Sequence, residues 1–247
     1  MRIGLISDIH GNLPALEATL EQLEHERIDR LVCLGDIAVG PWASETIDLL
    51  APLEPDCVVG NWDAWVLDGE PPCGDNPTGR MLLEMATFWT KELRAEEIAF
   101  MRRAQPRLEL DVGGKRLVFF HGSPRSYNEP ILSATSTEEL SHMFGGLHAP
   151  VVFVGHTHVQ MVRRLPFTLL VNPGSVGLPF LEWPVADARV LPWAEFGIVD
   201  YDGNGQLDVQ LRRTPYDAAA LIDHVFASGV PHAKWWTDCW QDAALAV

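Results

Sequence analysis

Metal-binding thiol motifs, long apolar runs and positive charge are all scarce in this chain. Its four cysteines, Cys33, Cys57, Cys73 and Cys239, show no CxxC or zinc-ribbon spacing, which argues against a thiolate metal site. Cys33 and Cys57 lie inside apolar strand-like runs and read as small buried hydrophobes, as expected of a reduced, cytoplasmic protein. The longest uncharged stretch, Leu165 to Leu181, is interrupted by Asn172, Pro173, Gly174, Ser175, Gly177 and Pro179, so it cannot form a membrane helix. The first residues, Met1 to Ile6, already read as a strand and leave no room for a signal peptide. Basic residues number 18 against 34 acidic ones, a formal net charge of −16. That field repels phosphate polyanions and anionic membranes, so neither long nucleic acid nor a membrane is expected as a partner. Bound divalent cations can still reverse the sign inside a pocket. The oligomeric state carries no sequence signal.

What is present is an ordinary core-forming composition, 47% apolar and 21% charged. Short apolar runs alternate with helical patterns in the first half, which predicts an α/β fold. Leu13, Leu16, Leu20 and Leu23 recur at helical spacing behind Asn12 as N-cap, with Pro14 in the first turn. A strand over Arg30 to Gly35, a helix near Ser44 to Leu50 and a strand ending at Gly60 follow. Gly69 to Gly79 reads as a loop, and Arg80 to Arg103 as two amphipathic helices within a cap-like helical segment at about 64–110. The second half predicts strands over Arg116 to Phe120, Pro150 to Val154, Thr168 to Val171, Phe196 to Tyr201 and Leu207 to Leu211. Helices are expected over Ser136 to Phe144 and Asp217 to Ser228. With no repeat, low-complexity tract or long linker, residues 1–247 read as one domain.

Five of the strand-like runs lead into residues that can ligate a metal: RIGLIS into Asp8 and His10, RLVCLG into Asp36, CVVG into Asn61, RLVFF into His121, and PVVFVG into His156 and His158. Side chains two apart on an extended segment point the same way, so each of the pairs Asp8/His10 and His156/His158 can pinch one point. Ligands of open α/β sheets bind at the carboxyl edge of the strands. Taken singly, each of these residues has a bland reading as a helix cap or a turn residue. Taken together, they predict one polar centre at one sheet edge.

In their order along the chain, DIHGN, GDIAVG, GNWD, HGSP and GHTH, with NPGSVG (Asn172 to Gly177) beyond them, resemble the calcineurin-like metallophosphoesterase superfamily, most of all its small bacterial and archaeal phosphodiesterases. The resemblance implies a sandwich of two mixed sheets flanked by helices. It implies that Asp8, His10 and His158 hold one metal and Asn61, His121 and His156 another, with Asp36 bridging both. It implies catalysis at Asp36, Asn61 and His121 through a hydroxide shared by two divalent transition-metal ions. Manganese is the expected metal, and iron, zinc, nickel and cobalt suit the same nitrogen and oxygen donors. The substrate implied is a small phosphodiester, such as a nucleotide. A phosphomonoesterase, or a non-catalytic metal-binding interaction protein on the same fold, is the alternative.

Around that set the expectations are less direct. Asn12 is either a phosphate contact or a helix cap. Arg125 offers a fork to a phosphate oxygen. Asp63 reads as the N-cap of the AWVL segment, and NPGS as a tight turn beside the metals. His25, His142, His148, His224 and His232 read as surface or packing residues. Trp62 stands where the family carries a histidine that protonates the leaving group, and indole has no proton to give near neutral pH. General acid help is typically worth ~10²–10⁴-fold, so its loss favours esters with good leaving groups. Trp62, Trp42 and Trp65 are also candidates for an aromatic wall against a nucleobase. The stretch Trp183 to Trp193 departs from the polar, arginine-containing segment the resemblance leads one to expect, which leaves the substrate open.

Overall fold

The structure is a computed structural model that describes residues 1–69, 72–183 and 188–240. In chain order the strands are β1 (Arg2–Ile6), β2 (Arg30–Cys33), β3 (Asp56–Cys57), β4 (Leu108–Val112), β5 (Lys115–Phe119), β6 (Val151–Phe153), β7 (Met161–Arg164), β8 (Leu169–Asn172), β9 (Trp193–Tyr201) and β10 (Leu207–Pro215). The helices are α1 (Leu13–Glu24), α2 (Ala43–Leu50), α3 (Asn61–Asp68), α4 (Pro77–Thr90), α5 (Ala95–Met101), α6 (Thr137–Phe144), α7 (Ala218–Ser228) and α8 (Ala233–Thr237). They build two mixed five-stranded sheets, ordered β10-β9-β1-β2-β3 and β4-β5-β6-β8-β7. The expected α/β two-sheet sandwich flanked by helices is the fold observed.

Alternation along the strands explains the layers. Ile3 and Leu5 of β1 pack with Leu117 and Phe119 of β5 and Val151 and Phe153 of β6 in the core between the sheets, where Phe119 and Phe153 stack at 4.5 Å. The intervening residues serve the outer layers. Ile6 and Cys33 face α1 and α2, while Val118 and Val152 face Leu140 and Met143 of α6. Every second residue thus changes layer, so one strand stitches two cores. A fourth cluster joins Met85 of α4 to Leu221 and Val225 of α7, Trp236 of α8 and Trp240. No helix among the described residues is long and apolar enough to cross a membrane.

The helix signals act as their chemistry predicts. Asn12 Oδ1 accepts from Ala15 N, Ser136 Oγ from Glu139 N and Asp217 Oδ1 from Ala220 N, each satisfying a first-turn amide. Gly229 closes α7 in the left-handed region, at φ 73°.

Several boundaries differ from expectation. The strand before Asn61 shrinks to the two residues of β3, because Val59 instead donates to Gln105 O. β4 and β7 were not expected. They are the edge strands of the second sheet, and their alternate charges (Glu109, Asp111, Arg164) hide the apolar period. The α4 helix starts at Pro77, before Arg80, because Asn76 caps it through Gly79 N. β10 runs on to Pro215, since Arg212 to Thr214 keep pairing with β9.

Candidate metal centre

The parallel strands of both sheets release their carboxyl ends toward a common place, and the residues that follow them converge there. The loops after β1, β2 and β6 leave their strands through strained backbone. Asp8, His10, Asp36, His156 and His158 adopt φ of 52°, 49°, 55°, 63° and 56°. L-residues in this left-handed region cost ~1–3 kcal/mol each and persist only where the surroundings dictate them. This corrects one expectation. Asp8/His10 and His156/His158 do not meet by strand pleating, because both pairs lie beyond their strands. Alternate left-handed residues aim these side chains instead, with His158 turned toward Asp8 and His10 and His156 toward Asn61.

The surroundings that impose this strain are backbone and glycine. Asp8 N donates to Gly35 O, His10 N to Asp36 O and Gly155 N to His121 O, so the loops hold one another rather than solvent. The Asn172–Gly177 turn ties two of them. Asn172 Nδ2 donates to Gly155 O, Ser175 Oγ donates to Asp8 O, and Gly177 N also donates to Asp8 O. A Cβ on Gly177 would fall 1.8 Å from Ile9 O, and one on Gly60 would fall 2.1 Å from Asp36 Oδ1. Only glycine allows either approach.

The donor atoms form two adjoining groups. His10 Nε2 and His158 Nε2 are 3.3 Å apart, with Asp8 Oδ1 3.3 Å from His158. Asn61 Oδ1 lies 2.8 Å from His121 Nε2 and 2.9 Å from His156 Nδ1. Asp36 Oδ2 stands between the groups, 3.6 Å from His10 Nε2 and 3.5 Å from His121 Nε2, while its Oδ1 accepts from Trp62 N. Asp8 Oδ1 is also 3.9 Å from His121, so both carboxylates face both groups.

These residues fit divalent cations. Nδ1 of His10, His121 and His158 lies against the carbonyls of Val39, Leu34 and Leu178, which favours a proton on Nδ1 and turns Nε2 inward, where the neutral ring offers a lone pair. Two acceptor nitrogens face each other at 3.3 Å, and an amide oxygen faces two imidazoles. Asp8 Oδ1 is buried with no hydrogen-bond donor. The unpartnered Asp8 oxygen and the facing His10 and His158 nitrogens repel one another unless a cation or proton lies among them.

Titration in the cation-free chain follows from burial and neighbours. Burial pushes Asp8 and Asp36 up, but the surrounding histidines outweigh it and hold both carboxyls below the ordinary range. Burial takes His10 and His156 down to about 4, the neutral form that ligates. At His121 burial is overcome by Asp36 and Asp8, which raise it to about 9. A cation entering between those carboxylates therefore displaces a proton.

Other candidates fall elsewhere. Asn12 is buried, its carbonyl capping α1 and its amide donating to Gly177 O, so both ends of the side chain are engaged. The guanidinium of Arg125 turns to Glu129, through both Nε and a terminal nitrogen. Trp62 packs edge-on against Trp65 at 5.9 Å, whereas Trp42 stacks on His224 at 3.9 Å and belongs to a different cluster. The three-tryptophan wall does not form.

Asp63 is the residue whose reading changes most. It is not an N-cap but lies inside the first turn of α3, where its carboxylate accepts from Gly60 N, Asp36 N and Ile37 N at 3.0, 2.7 and 3.0 Å. It therefore carries the Asp36 loop. A helix starting one turn earlier, at Asn61, would have revealed this from sequence, since an acidic residue three after Gly60 is half of a capping box. The segment after NPGSVG was also missed. Phe180 stacks on His158 at 4.4 Å, and Trp183 leans on His156 at 5.3 Å. Residues 184–187 of the Trp183–Trp193 stretch lie outside the described residues.

Residues 1–188 match the family model of the calcineurin-like phosphoesterase superfamily domain. The chain belongs to the calcineurin-like phosphoesterase superfamily. It is 31% identical over 194 residues to an uncharacterized protein of Methanocaldococcus jannaschii, covering 72% of this chain and 76% of that one. It is 22% identical over 175 residues to a phosphodiesterase of the same organism, covering 71% of this chain and 84% of that one. A solved metallophosphoesterase from Sphaerobacter thermophilus superposes with a TM-score of 0.71 at 29% identity, over 94% of this chain and 96% of that one. The calcineurin-like superfamily is metal-dependent, and the converging residues are candidate metal ligands of this chain.

Proposed function

We propose that this protein is a phosphodiesterase with a dinuclear centre, in which Asp8, His10 and His158 hold one cation, Asn61, His121 and His156 the other, and Asp36 both. The observation that carries the reading is the pair of acceptor groups, nitrogen and oxygen only, joined by Asp36 Oδ2 at 3.6 and 3.5 Å from their histidines. Two divalent transition-metal ions, manganese first among them, would supply Lewis acidity toward a phosphate oxygen and lower the pKa of water. The chain's own residues do the rest. The backbone carbonyls fix the imidazole tautomers, Asp63 fixes Asp36, and His156, the least buried of the seven ligands, marks where substrate enters.

The preference for diesters rests on residue 62. Trp62 follows Asn61 directly, its amide is spent on Asp36, and its indole cannot protonate a leaving oxygen. A leaving group that departs unprotonated, on an ester carrying one negative charge, suits both that residue and a chain of net charge −16. The relative from Methanocaldococcus jannaschii named as a phosphodiesterase supports the same reading. The test is turnover of bis-p-nitrophenyl phosphate and p-nitrophenyl phosphate with manganese present or chelated. Metal-dependent hydrolysis with higher kcat/KM for the diester is expected. A clear monoester preference overturns the diesterase assignment, and no metal-dependent turnover of either overturns the enzyme.

A further inference from the structure

The centre is closed on most sides. Asp8, His10, Asp36, Asn61, His121 and His158 are each 6% exposed or less, whereas His156 is only half-buried. The ring of Trp183 lies against this open member, centroid to centroid 5.3 Å and inclined by 54°. Trp183 is itself half-buried, and its indole N–H meets no acceptor among the described residues.

The segment that carries Trp183 is anchored. Leu178 O receives the His158 Nδ1 proton, Phe180 N donates to His158 O, and the Phe180 ring stacks on the same imidazole. Phe180 also bridges to Val190, and Leu181 N donates to Arg189 O. The chain from Leu178 to Leu181 is thus fixed to one histidine, and Trp183 reaches the other two residues further on. The remaining tryptophans of the neighbourhood have evident packing partners: Trp62 with Trp65, Trp193 bonded to Glu195 beneath Arg213, and Trp236 with Trp89 and Trp240. An aromatic ring on an anchored segment, beside the half-buried histidine of an otherwise buried centre, is what recognition of a flat group requires.

We propose that Trp183 is a specificity residue, a platform on which a planar aromatic group esterified to the phosphate stacks while the phosphate occupies the centre. The proposal deepens the phosphodiesterase reading and rests on it. The shared chemistry is a flat π-surface, which an aryl ester or a nucleobase can provide. Stacking of a base on an aromatic side chain is worth ~1–3 kcal/mol, roughly 5- to 150-fold in affinity.

The test is calorimetric binding to the manganese-loaded protein of two ligand pairs that differ by a ring: phenylphosphonate with methylphosphonate, and adenosine 5′-monophosphate with ribose 5-phosphate. Wild type should bind the ring-bearing member of at least one pair roughly tenfold more tightly. Trp183→Ala should reduce that ratio to near one while leaving methylphosphonate affinity unchanged, and Trp183→Phe should keep most of it. A preference confined to the first pair means an aryl group; one confined to the second, or shown by both, means that a nucleobase is accepted. Equal affinities in wild type, or a ratio unchanged in Trp183→Ala, overturn the proposal while methylphosphonate binding still supports the centre. Failure of every phosphonate and phosphate to bind, with manganese present, overturns the reading of the site and this proposal with it.

Discussion

The two walls of the centre are built on opposite principles. The inner wall, Asp8, Asp36 and His121, is 1% exposed or less, and its loops are cross-tied by backbone amides. Two of its three residues are held in left-handed backbone. The outer wall is Trp183, which is half-buried and meets His156 through ring contact alone. An over-determined wall sets the position of charge to within a few tenths of an ångström, which metal chemistry demands. A sparsely determined wall changes its side chains without disturbing the metals, which is where substrate preference can be set. Substitutions should therefore sort by wall: inner ones should affect every substrate, and outer ones only the choice among substrates.

The largest effect is expected at Asp36. Asp36→Asn keeps the shape but removes the charge of the carboxylate that stands between both groups, so both cations should weaken together. Activity on all esters should fall by about 10²–10³-fold or more. Elemental analysis beside kcat/KM checks this. Two metals retained with a substrate-selective loss would break the distinction between the walls.

Asp63 comes next, because it touches neither cation site yet bears the Asp36 loop through Asp36 N and Ile37 N. In Asp63→Asn one carboxylate oxygen becomes a donor facing an amide, and the loop must shift. A 10- to 100-fold loss of metal affinity is expected, the usual cost of losing such support, with the ratio of diester to monoester activity unchanged. A changed ratio would place Asp63 among the substrate contacts.

Trp62 sharpens the outer wall. Trp62→His supplies an imidazole where the family places its acid. The gain should be negligible for nitrophenoxide and, for alkyl leaving groups, below the ~10²–10⁴-fold that general acid catalysis reaches in pockets formed around it. It should vanish above the imidazole's pKa, because only the protonated form donates. Leaving-group slopes measured over pH decide it, and identical slopes for the two proteins would remove residue 62 from the leaving-group position.

How far the sequence reached follows the same division. The convergence of the seven donor residues at strand ends, and eight of the ten strands, were legible from local pattern, an apolar run and a polar stop, whereas the two-sheet sandwich came only with the family resemblance. What escaped depended on tertiary context. The register of α3, one turn earlier than read, converts Asp63 from a cap into a support for a loop 26 residues away. The contact of Trp183 with His156 spans a turn whose path no periodicity encodes. Asn12 and Arg125 offered suitable groups in suitable places, and the fold spends them on Gly177 and Glu129.

The smallest effect on catalysis, and the control on both walls, is expected at Glu195. This carboxyl lies beneath the Asn172–Gly177 turn, 2% exposed, with Oε1 accepting from Trp193 Nε1 and Oε2 buried without a donor. Burial raises it to about 7, against the downward pull of Trp193 and Arg213. The folded chain therefore holds its proton more tightly than the unfolded chain, whose carboxyl titrates near 4.5. Below pH 4.5 both states are protonated and nothing is lost. Between pH 4.5 and 7 the unfolded state ionises first, so stability falls as pH rises, and above 7 the full loss remains. A shift of this size corresponds to about 3 kcal/mol. Glu195→Gln mimics the protonated form, so its stability should match wild type near pH 4.5 and exceed it by about that amount at pH 8. Urea denaturation at the two pH values measures the difference. The Arg213 Nε–Oε1 contact at 3.3 Å offers the opposing outcome, since a net favourable ion pair would make the variant less stable at pH 8. Arg213 is 57% exposed, and water screens an exposed guanidinium, so burial of the carboxylate should decide the sign.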